Sequence, residues 1–188
     1  MYSPTFFLQR NESMQNDKKL KKIQIIYVSD KYIKYLSKYD NKVRFNKGQK
    51  RPYIGILFEV ESNKYYAPLS SPREKFFAMK NNDDFIKIDG GKLGAINLNN
   101  MIPIHDSAII NINFDNINDF KYKLLLLNQL DFFNKNADKI IKKATNLYEG
   151  YKNGRLRKEV FKRCCNFVKL EKYVQLYTPN MNIKNIKN

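Results

Sequence analysis

At 188 residues, with 43% apolar and 14% aromatic side chains, the chain is long enough for one domain with a real core and is too apolar to be a disordered tail. Its 35 Lys and Arg against 18 Asp and Glu leave a formal charge of +17, a self-repulsion that a polyanion relieves, so nucleic acid is the first partner to consider. No apolar run approaches the roughly 18 to 20 residues of a membrane span, and the only cysteines, Cys164 and Cys165, are adjacent, which excludes a disulfide framework or a Cys metal cluster.

Residues 1–22 are polar apart from Phe6-Phe7-Leu8 and end in Lys18-Lys19-Leu20-Lys21-Lys22. They make a poor secretory signal and are read as a basic extension, with a cytoplasmic location expected. Ile23-Gln24-Ile25-Ile26-Tyr27-Val28 is an apolar, β-branched run typical of a buried strand. Ser29 is expected to cap a short helix with Tyr32, Ile33 and Leu36 on one face. Residues 41–50, with Arg44, Lys47 and Lys50, read as a basic loop.

Ile54, Ile56, Phe58 and Val60 alternate with Tyr53, Gly55, Leu57 and Glu59, the period of a strand with one face more deeply buried. Glu61-Ser62-Asn63-Lys64 should turn it into a second arm from Tyr65 to Leu69. That arm runs into Pro68-Leu69-Ser70-Ser71-Pro72-Arg73-Glu74-Lys75. The two prolines stiffen this turn, the hydroxyls can donate to phosphate oxygens, and the cations suit the charge of a phosphorane. Residues 85–89 and 93–98 predict another hairpin across Gly90-Gly91-Lys92, and residues 108–114 alternate again. From Asp119 the period becomes helical: Phe120, Leu124, Leu127 and Leu130, then Ala137, Ile140, Ala144, Leu147 and Tyr151, predict two helices broken near residues 134–136. A last amphipathic helix is expected to carry Leu156, Val160, Phe161, Cys164 and Val168 on one side and Arg155, Arg157, Lys158, Lys162 and Arg163 around the other. About six strands without long helices between them predict an α+β fold: a single domain, its twisted, largely antiparallel sheet surrounded by helices. The polar end, residues 178–188, is expected to be a tail.

Three pieces recur in a known order: Tyr53-Ile54-Gly55, then Ala67-Pro68-Leu69-Ser70-Ser71-Pro72, then Gly94-Ala95-Ile96-Asn97-Leu98 leading to Met101-Ile102-Pro103-Ile104. In that order they resemble the type III toxin–antitoxin endoribonucleases, the ToxN/AbiQ family, over residues 23–177. The resemblance implies a toxin that cleaves RNA selectively by sequence, leaving 2′,3′-cyclic phosphate and 5′-hydroxyl ends. It further implies inhibition by a small repeated pseudoknot RNA, in a closed assembly of three proteins and three RNAs. Arg51, Ser70, Ser71 and Arg73 are then the expected catalytic residues, with Lys47, Lys50, Tyr53 and Lys75 contacting RNA. Where the family carries Lys just before the aromatic-Ile-Gly strand and two residues past the Ser-Pro serine, this chain has Arg51 and Arg73. An Arg keeps charge and phosphate geometry but does not accept a proton. Proton transfer is left to Lys75, Lys50, Lys47 or a tyrosine such as Tyr53, and Tyr53, Phe76 or Phe77 is placed to stack on a base. The lone His105 reads as a structural or surface residue, and Asp83, Asp84, Asp89 and Asp106 lack the spacing of a Mg²⁺ site, so a metal-independent enzyme without cofactors is expected. Two readings stay open: a noncatalytic RNA- or DNA-binding module and, on a similar small sheet, a protein–protein inhibitor.

Overall fold

The computed structural model describes residues 23–46 and 48–180; the expected basic extension, the last eight residues of the tail and Lys47 lie outside them. Seven strands form one sheet: β1 (Gln24–Val28), β2 (Tyr53–Val60), β3 (Asn63–Ser70), β4 (Phe85–Lys87), β5 (Ala95–Asn97), β6 (Ile102–Pro103) and β7 (Ile109–Asn111). Every pairing is antiparallel, in the order β4-β5-β3-β2-β1-β7, with β6 beside the first half of β3 and β5 beside its second half. The helices are α1 (Asp30–Ser37), α2 (Lys75–Ala78), α3 (Phe120–Lys135), α4 (Ala137–Lys152), α5 (Lys158–Arg163) and α6 (Phe167–Gln175). None among the described residues is long and apolar enough to cross a membrane.

The β2–β3 hairpin closes on a two-residue turn, with Val60 opposite Asn63 and positive φ at both Glu61 (48°) and Ser62 (69°). That backbone matches the right-handed twist of the arms, which is why the turn holds without a glycine. The alternation expected along β2 is interrupted by a register shift between Ile54 and Phe58: Tyr53, Ile54, Gly55 and Leu57 are buried, while Ile56 and Phe58 are only half-buried. The core forms around the rings of Tyr32, Tyr35, Tyr53, Tyr65, Phe133 and Phe167, all fully buried. Their polar tips are mostly partnered, Tyr32 Oη donating to the Pro103 carbonyl at 2.8 Å and Tyr35 Oη to that of Tyr173 at 2.9 Å.

Two local expectations are corrected. Ser29 begins α1 without a side-chain cap. The single last helix is two, because Cys164 turns to extended backbone (ψ 143°) and Asn166 starts α6 by accepting from Lys169 N at 3.0 Å. The break is held from outside: Lys42 Nζ donates to the Cys164 carbonyl at 2.8 Å, Cys165 N to that of Asn99 at 2.8 Å, and Asn166 N to Asp40 Oδ2 at 2.6 Å. Once these partners satisfy the backbone, a continuous helix has no advantage there. Both cysteines are free and buried in this break.

Candidate active site

Pro68 and Leu69 are held inside the sheet, Tyr53 facing Pro68 and Leu69 N donating to the Pro52 carbonyl at 2.9 Å, so Ser70 leaves the end of β3 in a set direction. Gly94 lies directly against it with φ +97°; a Cβ there would come within 2.0 Å of the Ser70 carbonyl oxygen, so no other residue fits this approach. Three residues on, Asn97 Nδ2 donates to the Pro68 carbonyl at 3.1 Å and to Ser70 Oγ at 3.0 Å. The carbonyl can only accept, which settles which amide atom faces the strand. Ser70 Oγ therefore accepts from Asn97, and its own proton is left to donate into the open space beyond.

Cations converge on that space from separate stretches. Arg51 donates from Nε to the Phe45 carbonyl at 2.9 Å and from Nη1 to the Leu69 carbonyl at 3.3 Å, so it is moored one residue from Ser70. Partial burial pushes its pKa below the ordinary guanidinium value, with Arg44 and Arg73 adding to the effect and Tyr53 opposing it, yet it remains a cation. Arg44 Nε donates to Asn100 Oδ1 at 2.7 Å. Arg163 forks onto Asp84 with bonds of 2.9 and 3.1 Å, the carboxylate being almost fully buried. Arg73, Lys75 and Lys80 come from the exposed segment around α2. All six, with Ser70, Asn97 and Asn99, line one open cleft of about 510 Å³ in which Asp84 is the only carboxylate among the described residues. Such a surface suits a phosphodiester: fixed cations face its non-bridging oxygens and a hydroxyl is oriented to donate.

Of the expected site residues, Arg51, Ser70, Arg73 and Lys75 meet in this cleft. Ser71 is exposed immediately beside it, and Lys50 is exposed but outside its lining. Tyr53 is a correction: its side chain is 0% exposed, so it lies out of reach of a base, and burial pushes its hydroxyl pKa up, which removes it as a proton acceptor. Phe76 is also buried, whereas Phe77 is exposed. His105 sits in a different hollow, beside Ile104 and Val174, sharing a 2.8 Å hydrogen bond with Ser107 Oγ. The sequence pattern does not single out Asn97 or Lys80 as site residues, considers Asp84 only as a Mg²⁺ ligand, and puts Arg44 in a basic loop and Arg163 on a helix flank. For Asn97 a signal existed, since it belongs to the Gly-Ala-Ile-Asn-Leu stretch; for Asp84 and Arg163, 79 positions apart, none did.

Residues 24–175 match the family model described as toxin ToxN of type III toxin–antitoxin systems. The chain is 32% identical over 158 residues to the endoribonuclease ToxN of Bacillus thuringiensis subsp. kurstaki, spanning 80% of this chain and 81% of that protein. It is 33% identical over 154 residues to the endoribonuclease ToxN of Pectobacterium atrosepticum, spanning 77% and 87%. A solved structure from work on selective toxin inhibition by a non-coding RNA pseudoknot in bacterial type III systems superposes with a TM-score of 0.72 at 30% identity, over 84% of this chain and 99% of that one.

Proposed function

We propose, from the premise that this chain belongs to the ToxN family of type III toxin–antitoxin systems and is a toxin endoribonuclease, that the cleft around Ser70 is where it cuts RNA. The observation that carries this reading is the convergence of Arg51, from the loop before β2, with Ser70, Arg73 and Lys75, from the end of β3 and the turn that follows it. A ribose 2′-oxygen attacks the adjacent phosphorus as the bond from phosphorus to the 5′-oxygen breaks, leaving a 2′,3′-cyclic phosphate and a 5′-hydroxyl. Arg51 and Arg73 hold the charge that builds on the non-bridging oxygens, and Ser70 and Ser71 donate to them. The 2′ proton passes to an amine in the cleft, and the 5′-oxygen takes a proton from a neighbouring ammonium; among the described residues Lys75 and Lys80 supply amines to the lining.

The reaction runs without a metal ion in this reading. Among the described residues no three His, Cys, Asp or Glu side chains gather as ligands, and Asp84 is committed to Arg163. Cleavage of cytoplasmic RNA is consistent with two free, buried thiols. The inhibitor is a repeated pseudoknot RNA that covers the cleft, in a closed assembly of three proteins and three RNAs. Incubation with A-rich RNA in EDTA tests the chemistry. Cyclic-phosphate ends that disappear in Ser70→Ala, Ser71→Ala or Arg51→Ala are expected, and binding without cleavage would overturn the proposal. Activity lost to EDTA and restored by Mg²⁺ removes metal independence alone.

A further inference from the structure

A second hollow, of about 400 Å³, continues the cleft, sharing Arg44, Asn99 and Arg163 with it. Its outer wall is Phe45, whose side chain is 72% exposed. A ring of that size normally gives up its water to a core, and leaving one outside forgoes a large gain. The segment that carries it is not loose. The Phe45 carbonyl holds Arg51 Nε, Arg44 Nε is bonded to Asn100, and the next residue, Asn46, is buried with its amide donating to the Val28 carbonyl at 2.6 Å and Asp30 Oδ1 at 2.9 Å. Asn46 is therefore pinned inward and Arg44 is tethered to Asn100, while the Phe45 ring between them faces solvent beside the cleft.

We propose that Phe45 is the stacking platform of a nucleobase subsite, taking an unpaired base of the RNA strand whose scissile linkage lies in the cleft, with Arg44 and Arg163 receiving the intervening phosphate. An exposed ring bordered by cations is how proteins bind single-stranded RNA, since the bases stack on the ring while the backbone tracks positive charge. Lys162, in the same lining, adds to that charge; an apolar protein segment would have no use for these cations. The subsite rests on the reading of the cleft as the cutting site, and it adds that the strand is held on the Arg44 side.

The chain contains no Trp, so Phe45→Trp creates a single indole reporter at the subsite. Titrated with 2′-O-methylated single-stranded RNA, which lacks the attacking hydroxyl, its emission should be quenched to saturation, and an abasic strand of equal length should leave it bright. Phe45→Ala should weaken RNA binding roughly tenfold and raise KM similarly, with kcat and thermal stability close to parental, while Phe45→Tyr retains affinity. Emission indifferent to saturating RNA, or a Phe45→Ala affinity within about twofold of the parent, overturns the subsite. Failure of the underlying reading gives a different result: Arg51→Ala and Ser70→Ala would cleave at the parental rate whatever is done at Phe45.

Discussion

Asn97 shows how one amide decides what a serine can do. Because its nitrogen is pinned by the Pro68 carbonyl, the lone pairs of Ser70 Oγ face Asn97 and the hydroxyl proton faces the cleft. Replacing it by Ala frees that hydroxyl to rotate without removing it. Asn97→Ala is expected to lower single-turnover cleavage roughly tenfold or more with little change in RNA affinity, since orientation rather than binding is lost. Asn97→Asp should be worse, because a carboxylate would accept the Ser70 proton and repel phosphate. Rapid-quench kinetics beside RNA titrations check both, and equal losses in kcat and affinity would assign Asn97 to binding instead. Ser70, Arg51, Arg73 and Lys75 were legible as site residues because they cluster in two short stretches. Asn97 was not, because its role exists only once β5 lies beside β3.

Elements are tied together by a few polar groups as much as by apolar faces. Glu171 of α6 accepts at Oε1 from Tyr65 of β3 at 2.8 Å and from Tyr148 of α4 at 2.6 Å, and its second oxygen meets Lys152 at 3.4 Å. Around it the rings of Phe58 and Tyr65 stack at 4.7 Å. Glu171→Ala would strand two hydroxyls in the core, so a loss of roughly 2 kcal/mol or more is expected, read from urea denaturation midpoints. Tyr148→Phe, which removes one donor and leaves the other paired, should cost about 1 kcal/mol. Cleavage per folded molecule should be unchanged in both, because neither residue lines the cleft. The first hairpin and the two long helices could be read from periodicity. The break between α5 and α6 could not, since it is held by Lys42, Asp40 and Asn99, far away in the chain.

For the whole molecule, buried acids set the response to alkali. Burial raises the thiols of Cys164 and Cys165 from 9.0 to about 12 and the hydroxyls of Tyr35 and Tyr66 from 10.0 to about 12. Above pH 9 the unfolded chain releases these protons, thiols first, while the folded chain keeps them until about pH 12. The unfolded state then binds fewer protons, so stability is flat below pH 9 on this account and falls as pH rises toward 12. Urea melts from pH 8 to 11 should show that decline, and a thiol reagent at pH 8 should react only with unfolded protein; fast labelling of folded protein would contradict the burial. By itself the sequence determined the strand and helix periods, the excess of cations and the order of motifs that names the family, because these depend on residues close together along the chain. Only the tertiary structure decided that Tyr53 is buried beneath the site, that Arg163 joins it through Asp84, and that Phe45 stands exposed beside it. Those outcomes depend on which distant backbone and side-chain groups satisfy one another when the sheet closes, and no local pattern encodes that.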